Sequence, residues 1–287
     1  MTFSSSFFSF FRNFAQDNNM RMRKITILLA LLLAFFVVDG ADAQRSRPRH
    51  RAKARTHKVI KKKKRRKAPV RRPTIHENPF IQCEDTCHHV HGIDLSHYQG
   101  EVFWETIGDH SRMSYVYLKA TEGADHIDAR YEQNILMAHR HGLKVGSYHF
   151  FRPKTDLTLQ MANFSAQCLP GEQDLVPMLD VESTGGLPVE VFCDSLHRFL
   201  GMMEEAYHQK PLIYTGRNFY NKYLVGQLDD YQLMVAMYTD EEPMLADERD
   251  ICLWQYTSKG RINGVGGYVD KSRFMGRHDL RELRFVR

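Results

Sequence analysis

Cysteine is scarce in this chain, with five in 287 residues. That is too few for a small disulfide-built scaffold, and the odd count leaves at least one thiol free or paired between chains. Long apolar runs are nearly absent as well. A single one, residues 25–38, stands out, which excludes a polytopic membrane protein. Glycine (18) and proline (10) are too few for a collagen-like or low-complexity chain, and 43% hydrophobic residues are too many for a disordered one. Positive charge is in short supply over most of the length. Of 40 Lys and Arg, 16 fall in residues 45–72, where there is no acid, and 4 fall in residues 1–44 beside 3 acids. The remaining 20 bases face 31 acids in residues 73–287, so the net +6 belongs to a tail. A basic nucleic-acid-binding domain is a poor reading of that acidic portion, and no specific nucleic-acid partner is expected.

The N-terminal 43 residues read as a secretory signal. Arg21, Arg23 and Lys24 form a basic start, residues 25–38 are apolar apart from Thr26, and Ala41-Asp-Ala43 offers a small-x-small cleavage pattern. Met20 and Met22 are alternative starts. Fourteen residues are short for a bilayer span of ~20, although a single N-terminal anchor is the competing reading. The expected location is therefore exported: periplasm, outer envelope or outside the cell. Residues 44–87 follow as a basic linker without a fold of its own, because like charges packed as densely as Lys61 to Lys67 repel. Such a tail attracts anionic envelope polymers or lipid head groups. Cys83 and Cys87, followed by His88, His89 and His91, suggest a disulfide or half a metal pattern, and Cys168 and Cys193 could pair.

Residues 88–287 form the third segment, the expected catalytic domain. Short apolar runs at 90–95, 115–120, 144–150, 175–181, 211–215, 233–238 and 251–256 alternate with helical patterns at 128–141, 157–168, 188–208 and 218–226, and 267–270 offers an eighth short strand. In 128–141 the apolar face is Tyr131, Ile135 and Ala138, with Gly142 as the stop. In 188–208 it is Val189, Phe192, Leu196, Phe199 and Leu200. The late connections 239–250 and 259–267 read as loops. The fold class is α/β: an irregular TIM-like β/α barrel of parallel strands, with helices missing in its C-terminal half. No glycine-rich phosphate loop follows the first strand, which argues against an open doubly wound sheet.

In such a barrel the active site lies at the C-terminal strand ends. Asp94, Glu122, Tyr148, Asp180 with Glu182, Tyr214, Tyr238, Trp254 with Gln255, and Asp270 all end these runs. Asp180 and Glu182 are the sharpest pair. Positions i and i+2 of a strand face one way, and two carboxylates on one wall repel until one keeps its proton. That is the acid and base that glycosidic cleavage needs, and aromatic rings suit sugar faces. A second Asp-x-Glu, Asp240 to Glu242, sits in a polar acidic stretch and reads as a solvated loop. Simpler roles compete: a turn or cap for Asp94, an ion pair with Lys119 for Glu122, a pair with Lys271 or Arg273 for Asp270, barrel core for the rings.

Seven motifs in order now resemble the glycoside hydrolase family 25 lysozymes, the Chalaropsis-type N-acetylmuramidases. They are His91-Gly-Ile-Asp94-Leu-Ser96, Lys119-Ala-Thr-Glu122-Gly123, Gly146-Ser-Tyr148-His149-Phe150, Leu179-Asp180-Val-Glu182, Pro211-Leu-Ile-Tyr214-Thr, Leu253-Trp254-Gln255-Tyr256 and Val269-Asp270. The resemblance implies an irregular β/α barrel that cleaves the β-1,4 bond between N-acetylmuramic acid and N-acetylglucosamine in peptidoglycan. By the same resemblance Glu182 is the general acid/base, Asp180 orients the substrate's 2-acetamido group, and Asp94 and Asp270 complete an acidic floor. Glu122 and Tyr148 line the cleft, and Tyr214, Trp254 and Gln255 complete the substrate-binding candidates. Substrate assistance with retention and inversion through water would use the same residues. Lys271 after Asp270 departs from the expected neutral residue. No cofactor or metal is expected, and the protein is expected to be a monomer acting on glycan strands.

Two other readings compete. A metal-dependent carbohydrate hydrolase or deacetylase would enlist His149 near the rim, but no His-x3–5-His spacing lies beside these acids. A wall-binding module without catalysis would be held to the envelope by its basic tail.

Overall fold

The structure, a computed structural model, describes residues 88–110 and 112–286. The signal-like segment, the basic stretch 44–87 and the Cys83/Cys87 pair lie outside the described residues. Among them the chain runs β1 (His91–Leu95), α1 (Trp104–His110), β2 (Met113–Glu122), β3 (His126–Ile127), α2 (Tyr131–Arg140), β4 (Lys144–Phe150), α3 (Leu157–Gln167), β5 (Met178–Asp180), α4 (Val189–Tyr207), β6 (Leu212–Gly216), α5 (Arg217–Tyr223), β7 (Leu233–Ala236), β8 (Leu253–Gly260) and β9 (Val269–Phe274). The sheet order is β1-β9-β8-β7-β6-β5-β4-β2-β3, and β1 also pairs with β2, which closes eight strands into a barrel with β3 hairpinned outside the ring.

The helices sit where apolar residues recur at 3.6-residue spacing. α2 buries Tyr131, Asn134, Ile135 and Ala138, one stripe at i, i+3, i+4 and i+7. It ends at Gly142, whose φ of +85° a residue with a Cβ adopts only at a cost. The N–H of Leu159 donates to Asp156 Oδ1 at 2.9 Å and caps α3. α4 buries Phe192, Cys193, Leu196, Phe199, Leu200, Met203 and Tyr207. Val189 departs from the expected stripe: it lies in the first turn and is 42% exposed.

The parallel order holds from β1 through β2 and β4 to β8. β9 corrects the expected all-parallel barrel, because it runs antiparallel to both β8 and β1. Only residues 261–268 separate β8 from β9. A parallel return needs a crossover of a dozen or more residues, so this short link makes a hairpin instead. As expected, no helix fills the β7–β8 or β8–β9 connections. The 237–252 loop takes that place on the outer face, where Arg273 pairs with Glu242 at 2.5 Å and stacks over Trp254.

Inside the barrel, Tyr115 and Tyr117 fill the core and are fully buried. They fit because glycine lies beside each ring. A Cβ on Gly92 would sit 2.2 Å from the Tyr115 ring, and one on Gly146 would sit 2.3 Å from the Tyr117 ring. Tyr115 and Ser272 share a hydrogen bond at 2.9 Å, which places both on the inner face. Cys168 and Cys193 do not pair: both are free and buried, as is Cys252.

Candidate active site

Alternation along each strand decides which side chains reach the barrel mouth. On β1, Gly92 faces inward and so does Asp94. Asp94 lies directly opposite Asp270 of β9. Asp270 begins its strand rather than ending it. It reaches the same rim because β9 runs backwards. Lys271, the next residue, turns to the other face and lays its carbons beside Gly260, so the forces on Asp270 are burial and the Glu182 charge.

Asp94 is buried, with 6% exposure. Its Oδ2 accepts a hydrogen bond from Gln255 Nε2 at 2.7 Å. Gln255 Oε1 in turn accepts from the hydroxyls of Tyr214 (2.9 Å) and Tyr238 (2.8 Å). Two hydroxyl donors on one amide oxygen fix the orientation of that amide, so its NH2 points at Asp94. Burial first, then the Asp270 charge, pushes Asp94 up to about 8, with the Gln255 hydrogen bond working the other way. Asp270 is pushed up to about 6.

Asp180 ends β5 and is 8% exposed. The N–H of Val181 still bonds to Tyr214 O at 2.9 Å, so the chain stays extended and Glu182 follows on the same side. Burial and then the Glu182 charge hold the Asp180 carboxyl well above the usual carboxylate range. Glu182 is exposed at the mouth, yet burial still pushes its carboxyl up, with the nearby Tyr214 hydroxyl working the other way. Both Asp94 Oδ1 and Asp180 Oδ1 are buried and accept no hydrogen bond from the described residues. Tyr148, half-buried on the inner face of β4, feels Asp180, Asp94 and Asp270 after burial itself. The four acids thus act on one another across one mouth.

Glu122 stands apart in charge. Lys119 Nζ donates to its Oε2 at 2.6 Å and Arg152 Nε to its Oε1 at 2.9 Å. Burial raises this carboxyl, and those bonds outweigh burial to hold it near about 2. The ion pair with Lys119 that competed in the sequence reading is therefore present, widened by Arg152. The mouth carries one firmly ionised, cation-held carboxylate beside four acids of raised proton affinity.

Trp254 is not brought to this cluster. It precedes inward-facing Gln255, so it faces outward, donates its indole N–H to Met237 O at 2.8 Å and lies under Arg273. His149 also turns away from the mouth. It is fully buried, stacks on Phe199 with ring centroids 5.3 Å apart and bonds to Thr121 and Gln160. Burial lowers it to about 4. Tyr238, already placed at a strand end by the sequence, joins the rim, and so do three residues that the sequence reading did not name. Tyr238 shares Gln255 with Tyr214, and Arg152 holds Glu122. Tyr98 and Tyr268 are 80% and 53% exposed and joined by Gln99, whose Nε2 donates to Tyr268 O at 3.4 Å. The signal for Tyr98, Arg152 and Tyr268 was proximity in the sequence to Asp94, Phe150 and Asp270.

A profile of the glycosyl hydrolases family 25 matches residues 93–265, more than half of the chain. The uncharacterized protein YegX of Escherichia coli strain K12 is 30% identical over 191 residues, covering 65% of this chain and 70% of that protein. Lysozyme M1 of Streptomyces globisporus is 28% identical over 201 residues, covering 65% and 68%. The crystal structure of the bacterial lysozyme from Streptomyces coelicolor superposes with a TM-score of 0.59 at 28% identity, over 65% of this chain and 92% of that one. With a closed barrel whose acids converge on one mouth, the match leaves one conclusion: the chain belongs to the glycosyl hydrolases family 25.

Proposed function

We propose that this protein is a peptidoglycan hydrolase that cleaves the β-1,4 bond between N-acetylmuramic acid and N-acetylglucosamine. The likeness to lysozymes supports the substrate class. The observation that carries the chemistry is the Asp180–Glu182 pair, two carboxyls on one wall whose proton affinities rise together. Glu182, at the open edge, gives its proton to the glycosidic oxygen and later withdraws one from water. Asp180 is deeper. Its unpartnered Oδ1 suits the N–H of a 2-acetamido group, which it turns toward the anomeric carbon as internal nucleophile. Asp94 and Asp270 form the acidic floor, and Gln255 with its two tyrosines sets the height of that floor. Glu122 and Tyr148 line the cleft. Residues 1–43 direct export, and the basic residues 44–87 hold the catalytic domain near anionic envelope polymers or lipids.

The test is Glu182→Gln in the full chain, with peptidoglycan turbidity and released reducing sugar as readouts. General acid–base catalysis is worth roughly 10²–10⁴-fold, so activity falls by at least that much while the circular-dichroism melt is unchanged. Wild-type pull-down on peptidoglycan without sugar release would reject the enzyme in favour of a binding module. Substantial activity in the variant would remove Glu182 from the acid role.

A further inference from the structure

At the pole opposite the carboxylates, a second cluster gathers sulfur, nitrogen and oxygen donors. Cys252 immediately precedes β8. Its N–H donates to Leu233 O at 3.1 Å and its carbonyl accepts from Met275 N at 3.0 Å, which pins it between the starts of β7 and β8 and the end of β9. His278 and Glu282 lie in the turn-rich segment after β9. One donor atom from each of Cys252, His278 and Glu282 falls within 4.8 Å of the others. The imidazole is held from both sides: Nδ1 meets Glu282 Oε2 at 2.6 Å and Nε2 meets Asp250 Oδ2 at 2.8 Å. Cys252 is fully buried, and no hydrogen bond from the described residues engages its thiol.

We propose that Cys252, His278 and Glu282 form a binding site for a zinc-class divalent ion, separate from the glycan cleft. The donor set selects the ion. Thiolate and imidazole suit zinc, whereas magnesium and calcium want oxygen alone. Two tetrahedral ligands at ~2 Å from the metal stand roughly 3.3 Å apart. The donor atoms lie within 4.8 Å of one another, so small side-chain shifts bring them to that spacing, and the 2.6 Å His278–Glu282 hydrogen bond opens by under an ångström to admit the ion. His278 then coordinates through Nδ1 while Asp250 keeps the Nε2 proton, the carboxylate–histidine–metal arrangement that fixes ring orientation. Glu282 lies at the surface, so water takes the fourth position. Binding forms a metal–sulfur bond and releases the thiol proton to solvent. The result is a clamp that ties the segment after β9 to the base of β8, in a region where the barrel has no helix to do so.

The experiment titrates the reduced full-length protein with Co2+ and then Zn2+, in a chain carrying Cys83→Ser and Cys87→Ser that serves as the wild type of the comparison, so that the second cysteine–histidine cluster gives no thiolate band. One equivalent of Co2+ gives a thiolate-to-cobalt charge-transfer band in the near ultraviolet and the visible bands of tetrahedral cobalt, and Zn2+ bleaches both. Saturating Zn2+ raises Tm by about 5 °C or more. Cys252→Ser removes the charge-transfer band, and His278→Gln weakens cobalt binding at least tenfold. His278 is not a core residue, so its variant keeps the test decisive if Cys252→Ser fails to fold. Peptidoglycan hydrolysis at 25 °C stays unchanged in both folded variants. A wild type without the charge-transfer band, or a band that survives in Cys252→Ser, overturns the proposal. So does an equal Tm rise in wild type and His278→Gln.

Discussion

Replacing Asp180 by Asn tests whether the paired carboxyls tune each other. The alkaline limb of the pH–rate profile reports loss of the second proton from the pair, taken off against a charge already present. Residues i and i+2 on extended chain lie roughly 7 Å apart. Two like charges at that distance repel by about 2.4 kcal/mol at an effective dielectric of ~20. Glu182 is exposed at the mouth, and solvent there screens part of that repulsion. With a neutral amide in place of the acid, Glu182 loses its proton with no such neighbour. The alkaline limb therefore moves to lower pH, and kcat falls roughly 10²–10³-fold as the acetamido group loses its partner. Initial rates on labelled peptidoglycan, from pH 4 to 9 at constant ionic strength, give the limb. A 13C-carboxyl titration of Glu182 gives the same quantity where turnover is too slow. A limb that stays put or moves upward refutes the coupling.

Stability carries its own signatures. Asp94 has its carboxyl raised from 3.8 to about 8 in the folded protein, so its contribution is full below pH 4 and is lost as pH rises toward 8. Asp94→Asn should keep the bond from Gln255 and lose less Tm than wild type between pH 4 and 8; parallel Tm curves would contradict the raised value. Glu122 has the opposite sign, lowered from 4.5 to about 2, and its contribution disappears as pH falls through that window. Glu122→Gln should therefore flatten the acid side of the Tm curve between pH 4.5 and 2. Gly92→Ala drives a Cβ into the Tyr115 ring and should cost about 3 kcal/mol or more in urea melts. Gly142→Ala meets open space and should cost only about 1 kcal/mol, for its positive φ. Equal costs at the two glycines would deny the packing role of Gly92.

Much of the barrel was legible because its signals are local. Helical spacing marked α2, α3, α4 and α5 to within a few residues, and short runs of Val, Ile, Leu, Tyr and Phe marked the parallel strands. α1 escaped notice because seven residues with Trp104 and Ile107 as their buried apolar positions hold too little periodicity. The carboxylates were legible as strand ends. That Cys168 and Cys193 stay unpaired was not, because both sulfurs turn into separate packing: Cys193 toward Tyr223 O at 3.8 Å, Cys168 into the core.

Sequence alone determined the alternation of strands and helices and the placing of Asp94, Asp180 and Glu182 at strand ends, since side-chain alternation and helical period are properties of neighbours along the chain. Tertiary structure decided the rest. The β8–β9 hairpin reversed β9, and closure of the ring carried Asp270 to the rim from the start of its strand. Alternation allowed only one of Trp254 and Gln255 to face inward, and the packing of Arg273 and Met237 chose Gln255. Proton affinities were settled last, because burial and charge at one mouth depend on residues up to 176 positions apart, from Asp94 to Asp270, that only the closed barrel brings together.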